Sequence, residues 1–271
     1  MNRRNRIKYG IKHLFMILLS FFSVFPFFWM IVSMTNTSAD ISKGKLTFGA
    51  HLMENIRNAL SSANIGRAFL NSAVLSVTIT VLSVLICSMA GYAFVVYKRS
   101  ATEVVFMVLV ASMMVPFAAK LIPLYRIFAN WGLVNNYLAI ILPAVGAPFL
   151  VFFFKQNSES FPLETIQAAR VDGCSEFGIF FRIFIPMMRS TYAAAAIFSF
   201  MAAWNNYMWP LAVLQTESKY TLPLMVSNLA RGFSPDYGQV MVGIVISTIP
   251  TIVIFFALQK SFVEGILGSV K

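Results

Sequence analysis

Few residues of this chain are equipped for covalent or metal chemistry, and their spacing supports neither. Two cysteines, Cys87 and Cys174, and two histidines, His13 and His51, are its whole stock of soft and imidazole ligands. No C-x-x-C or Cys/His spacing of a zinc site is present. Cys87 lies in an apolar run and Cys174 in a polar loop, so they form no disulfide framework. The absence of G-x-x-x-x-G-K-[ST] excludes P-loop nucleotide binding by this chain. No cluster of His, Asp, Glu or Cys stands at catalytic spacing, so the chain is expected to catalyse nothing and to bind no metal or cofactor. Two polar stretches remain, each set among apolar ones: 162–186, PLETIQAARVDGCSEFGIFFRIFIP, and 204–210, WNNYMWP. The chemistry open to them is hydrogen bonding and docking.

The first stretch predicts two short helices. Pro162 is placed to start one over 163–171, where its missing N–H costs little. Asp172-Gly173 suits a turn, because glycine accepts φ > 0 and close backbone approach. Ser175 is an N-cap candidate for a second helix that stops before Pro186. On that helix Phe177, Phe180, Phe181 and Phe184 fall on one side. Such an amphipathic pair, returning at once to an apolar run, is shaped to lie along a bilayer face with its polar side toward a soluble partner.

The elements that position these stretches follow from composition. The 271 residues are 58% hydrophobic and 11% charged, against about a quarter charged in soluble domains. Apolar runs at 14–34, 72–97, 104–124, 137–154, 187–214 and 239–259 predict six transmembrane helices. The first follows a basic segment and is too long, with no convincing cleavage site, for a signal peptide. A short helix is expected at 51–61 in an external loop. Six spans put both termini on one side. That side carries 13 of the 21 Lys and Arg residues: Arg3, Arg4, Arg6, Lys8, Lys12, Lys98, Arg99, Lys155, Arg170, Arg182, Arg189, Lys260 and Lys271. The excess predicts a cytoplasmic N-terminus, C-terminus and 155–189 loop. It also accounts for the net charge of +11 without nucleic acid, since the bases are scattered among short loops.

The loop resembles the cytoplasmic "EAA" loop of ABC-importer permease subunits, E-A-A-x3-G-x9-I-x-L-P. Ala168-Ala169, Gly173, Ile183 and Pro186 fall on its positions; Gln167 stands where glutamate is usual and Ile185 where leucine is. Gln167 therefore has no charge to pair with a partner's Arg or Lys. Residues 168–173, AARVDG, and 204–210 resemble the carbohydrate-importing (maltose or multiple-sugar) branch. The resemblance implies an all-α membrane protein with the type I importer fold, a five-helix core plus an N-terminal helix, with 1–271 as a single permease domain. It implies a homologous second permease subunit, an ABC ATPase dimer that uses ATP and Mg, and an extracytoplasmic sugar-binding protein as partners, in a bacterial-type cytoplasmic (inner) membrane.

By the same resemblance, the ATPase-coupling residues are Glu164, Gln167, Ala168, Ala169, Arg170, Asp172, Gly173, Ile183 and Pro186. Ala168 and Ala169 would allow close contact, Gly173 the turn, and Arg170 and Asp172 polar contacts. For the substrate path, Asn205, Asn206 and Tyr207 offer hydrogen bonds to sugar hydroxyls, and Trp204 a face on which a pyranose can stack. The alternative for these four is interhelical hydrogen bonding within the fifth span. Asn71-Ser72 is expected to start the second span. A stand-alone secondary carrier or channel is the other functional class. It usually places charge within its spans, and 137–154 and 239–259 contain none.

Overall fold

A bilayer satisfies no backbone N–H or C=O, so long uncharged runs must fold as helices. The computed structural model describes residues 3–62, 64–232 and 235–267, and every regular element among them is helical. Four helices are long and apolar enough to cross a membrane: Ile11–Ser33, Ile65–Val96, Leu138–Ser158 and Tyr237–Ala257. Two bent pairs bring the total to six if each counts as one span. These are Ser100–Ser112 with Phe117–Asn130, bent by 104°, and Glu176–Met187 with Arg189–Trp204, bent by 84°.

The departures from the sequence expectations have local causes. The first helix starts at Arg3, so the basic segment continues the span. The third span is not one straight helix through 124. Proline disfavours helical geometry in the residue before it, and the chain turns at 113–116 before Pro116 leads into Phe117–Asn130. The fourth span is interrupted at Gly146-Ala147 and restarts with Pro148 in its first turn. The fifth expected span breaks after Trp204 and resumes at Met208–Val213. Pro210 then lies in a first turn, where no intrahelical N–H bond is lost. In an unbroken helix it would have left the Asn206 carbonyl unpaired. The expected short helix falls at Leu52–Ser62. Of the expected tail, Lys260–Leu267 prolongs the last helix, which runs from Tyr237 to Leu267, and 268–271 lie outside the described residues.

The chain divides into two compact units, 1–65 with 225–248 and 66–224 with 249–271. In the first, polar side chains tie the segment after the first helix. The Asn55 amide donates to the Met34 and Asn36 carbonyls at 2.9 and 3.0 Å, and the Asn36 amide to those of Val32 and Thr47, both at 2.9 Å. A Cβ at Gly243 would stand 2.8 Å from Val226 Cγ2, so the last helix approaches its neighbour through a bare backbone.

The second unit contains the site. Small residues let its helices approach closely. A Cβ on Gly91 would lie 2.6 Å from Phe154 Cβ and 2.9 Å from the Lys155 backbone nitrogen. Around that crossing Cys87, Leu150, Val151, Phe154 and Ala195 form an apolar cluster. At another place the segment after Val213 is pinned by side chains. Asn135, at φ +60°, accepts from the N–H groups of Gln215 and Thr216 at 3.1 and 3.2 Å. Asn71 and Ser72 lie inside the Ile65–Val96 helix rather than at its start. The Asn71 amide donates to the carbonyls of Ser218 and Tyr220, both at 3.0 Å, and Ser72 Oγ accepts the Leu222 N–H at 2.7 Å.

Candidate functional site

The Leu163–Val171 helix begins after Pro162 and carries Glu164 in its first turn and Arg170 in its last. Both charges suit the helix dipole. Its inner side is Ile166 and Ala169, 1% and 6% exposed, packed with Tyr92, Phe161, Ile179 and Phe184. Its outer side is Glu164, Gln167, Ala168, Arg170 and Val171, the last 88% exposed. The two alanines thus face opposite ways: Ala168 is offered outward, whereas Ala169 seats the helix on its own chain.

The helix ends in a Schellman arrangement. Gly173 adopts φ +78°, its N–H donates to the Arg170 carbonyl at 3.1 Å, and the Cys174 N–H reaches the Ala169 carbonyl at 3.0 Å. These bonds satisfy carbonyls that a helix end leaves open. A Cβ on Gly173 would meet nothing within 4 Å, so within this chain the glycine is required by its dihedral angle and not by a close approach. Asp172, Gly173 and Cys174 are exposed at the turn.

Ser175 caps the second helix, its Oγ accepting the Gly178 N–H at 3.2 Å. This helix does not stop before Pro186; it runs from Glu176 to Met187. A π-helical turn over Phe180–Phe184 lets the Ile185 N–H bond the Phe180 carbonyl. The widened turn relieves the clash that the Pro186 ring would make with the carbonyl four residues back. Nor do the four phenylalanines share one environment. Phe180 and Phe184 stack at 5.6 Å and are buried, whereas Phe177 and Phe181 are exposed. Ile183 is half-buried and Pro186 exposed.

An ion pair joins the two helices across the turn. Arg170 Nε and Nη2 donate to Glu176 Oε1 and Oε2 at 2.6 and 3.1 Å. The Tyr97 hydroxyl donates to Glu176 Oε2 at 2.6 Å, and the Arg170 guanidinium stands 5.7 Å from the Tyr97 ring centre. Tyr97 directly follows the Ile65–Val96 helix. The bonds from Arg170, then Tyr97, hold the Glu176 carboxyl below its ordinary value. The same carboxylate raises the Tyr97 hydroxyl. Sequence reading passed over Glu176 and Tyr97. The available signal was an acid six residues after a base, on the far side of a glycine turn.

The residues of 204–210 lie at the helix break. Trp204 is buried, stacked on Phe200 at 5.7 Å and edge-on to Phe69 at 5.5 Å. Its indole is therefore part of the packing and is not displayed for a pyranose. Asn205 ends the helix, and its backbone N–H and side-chain amide both donate to the Met201 carbonyl, at 3.1 and 2.9 Å. Asn206 and Tyr207 are half-buried. Trp209, fully enclosed, donates from Nε1 to the Ala139 carbonyl at 2.7 Å. The polar run breaks the span and caps its first half. Among the described residues no group of three or more His, Cys, Asp or Glu side chains could hold a metal ion.

A helical, multi-pass membrane protein bearing a two-helix hook with a solvent-facing turn is the class these features define. Residues 83–268 match the profile of the binding-protein-dependent transport system inner membrane components. The lactose transport system permease protein LacG of Rhizobium radiobacter is 44% identical over 268 residues, 99% of this chain and 98% of LacG. The arabinooligosaccharides transport system permease protein AraQ of Bacillus subtilis (strain 168) is 33% identical over 264 residues, covering 95% of this chain and 94% of AraQ. A bacterial ABC transporter involved in the import of the acidic polysaccharide alginate contains a chain of the same fold. Its TM-score is 0.87 at 19% identity, over 97% of this chain and 99% of that one. The chain belongs to the family of binding-protein-dependent transport system inner membrane components. It is a permease subunit and not an enzyme, and it works with a substrate-binding protein and a separate ATPase.

Proposed function

We propose that this chain forms half of the translocation path of an ATP-driven importer of di- or oligosaccharides, coupled to its ATPase through the 162–186 loop. The observation that carries the coupling assignment is the two-sided hook. Ile166 and Ala169 fasten it inward, while Gln167, Ala168, Arg170, Asp172 and Gly173 stand exposed together around a rigid turn. The 84° bend between Glu176–Met187 and Arg189–Trp204 fits a second loop helix lying along the membrane face before the chain turns into it. In this reading 1–271 is one permease domain and 155–189 its cytoplasmic coupling loop, with both termini cytoplasmic. A homologous second permease subunit completes the path, two ATPase subunits use ATP and Mg, and this chain binds neither. Glu164, Ile183 and Pro186 shape the hook. In this reading Asn206 and Tyr207, half-buried at the helix break, hydrogen-bond the hydroxyls of the sugar.

The sugar class rests on the relatives, whose names specify lactose and arabinooligosaccharides. Tagged protein drawn from its native membrane in mild detergent should bring a second polytopic permease and a P-loop ATPase with it. Membrane vesicles should accumulate radiolabelled lactose or arabino-oligosaccharide on ATP. Isolation of the chain alone, with uptake driven by an ion gradient, would replace this account with a secondary carrier.

A further inference from the structure

Tyr97 lies outside the loop and Glu176 at an unspecified position of its motif, yet their geometry is built around Arg170. Arg170 belongs to the first loop helix, Glu176 opens the second, and Tyr97 directly follows the Ile65–Val96 helix. The guanidinium meets both carboxylate oxygens at 2.6 and 3.1 Å, the phenol takes the second oxygen at 2.6 Å, and the ring lies under the guanidinium. A two-pronged Arg–carboxylate pair fixes direction as well as distance. The phenol adds a third bond to the same carboxylate, from a different element. Arg170 and Glu176 are 38% and 44% exposed in their side chains, and pairs so open to water add little to stability. What the trio adds is orientation: beside the apolar cluster that holds Val96, Ile166 and Ala169 together, it fixes the docking helix to the end of a long span by directional polar bonds.

We propose that Glu176 and Tyr97 are positioning residues for energy coupling, acting through Arg170 to lock the Leu163–Val171 helix to the Ile65–Val96 span so that movement of one moves the other. The proposal rests on the coupling reading above and adds the second connection between loop and span. The first is the apolar cluster in which Tyr92 meets Phe180 and Phe184 at 5.4 and 4.9 Å and which also takes in Val96, Ile166 and Ala169. With Tyr97 released, the hook keeps its fold and its partner contacts but turns about that aromatic contact.

The test uses the full transporter, co-purified with its ATPase, second permease and binding protein and placed in liposomes with lactose as the probe. Lactose moved and ATP hydrolysed are measured together. Tyr97→Phe and Glu176→Gln should each lower lactose moved per ATP, by about threefold to tenfold for loss of a charge-assisted contact, with hydrolysis retained. The double variant should be no worse than Glu176→Gln alone, because Tyr97→Phe keeps the ring under the guanidinium and removes only the hydroxyl, which bonds that carboxylate. Independent losses that multiply would overturn the latch in favour of two unrelated structural roles, as would an unchanged ratio in both single variants. Wild type separates the two ideas. If the unaltered complex shows no link between hydrolysis and sugar movement, the coupling reading falls and takes the latch with it. If wild type is coupled and the variants match it, only the latch falls.

Discussion

Substitutions at Gly173 separate what the loop needs for its own fold from what a docked partner needs. The residue sits at φ +78° in open space. Any side chain with a Cβ therefore incurs the left-handed backbone penalty, about 1–2 kcal/mol, while the Cβ itself meets no atom of the chain within 4 Å. That changes the local folded-to-unfolded ratio by about 5- to 30-fold, which a protein stable by about 5–15 kcal/mol survives. Alanine and tryptophan share this penalty, so they differ in what the atoms beyond Cβ meet around this exposed turn. Asparagine tolerates the left-handed region and lowers the penalty. The assay compares Gly173→Asn, Gly173→Ala and Gly173→Trp for membrane level, ATPase retained on purification, and lactose uptake by vesicles. All three should reach the membrane. Asn should lie near wild type and Ala somewhat below it. Trp should lose uptake and retained ATPase by more than about tenfold relative to Ala, the size of one interface contact's loss. Equal values for Ala and Trp on both measures would refute the claim that the turn is a covered surface.

The two adjacent alanines should fail differently. Ala169→Asp buries a charge among Tyr92, Phe161 and Ile166, at a cost of several kcal/mol, and should lower the melting temperature and the membrane level. Ala168→Asp faces outward and should change stability by no more than about 0.5 kcal/mol, leaving the membrane level near wild type while weakening ATPase retention. Gly91→Ala places a Cβ 2.6 Å from Phe154 Cβ and should destabilise by about 1–3 kcal/mol, read as a lower melting temperature in detergent. Asn206→Ala should change uptake rate or selectivity across lactose and arabino-oligosaccharides; unchanged kinetics on all of them would leave the residue only its place in the helix break.

The helical, multi-pass character of the chain and the loop's two helices were legible because they depend on local facts: run length, Pro162, Gly173 and the Ser175 cap. Positions of bends were not. Pro116 and Pro210 announce that a helix changes there, but whether it kinks, breaks or restarts depends on what its neighbours offer the freed backbone groups. The same limit explains Pro186, which looked like a stop and is instead absorbed by the π-helical turn at 180–184. Side-chain direction was harder still. Ala168 and Ala169 are equivalent in a motif and opposite in space, because about 100° of helix rotation separates neighbours. Trp204 looked like a sugar platform by type; its burial against Phe69 and Phe200 is set by residues distant in sequence or a turn away, which no spacing within 204–210 encodes.

The central claim is that the exposed turn of the 162–186 loop faces the cytoplasm and is covered by an ATPase. The chain carries its own reporter, since Cys174 is exposed on that turn and Cys87 is buried. A membrane-impermeant maleimide applied to native vesicles of both orientations measures it directly. Cys174 should react only in inside-out vesicles, slowly while the ATPase is bound and quickly after urea strips it. Labelling from the outer side, or a rate that removal of the ATPase leaves unchanged, would contradict the account.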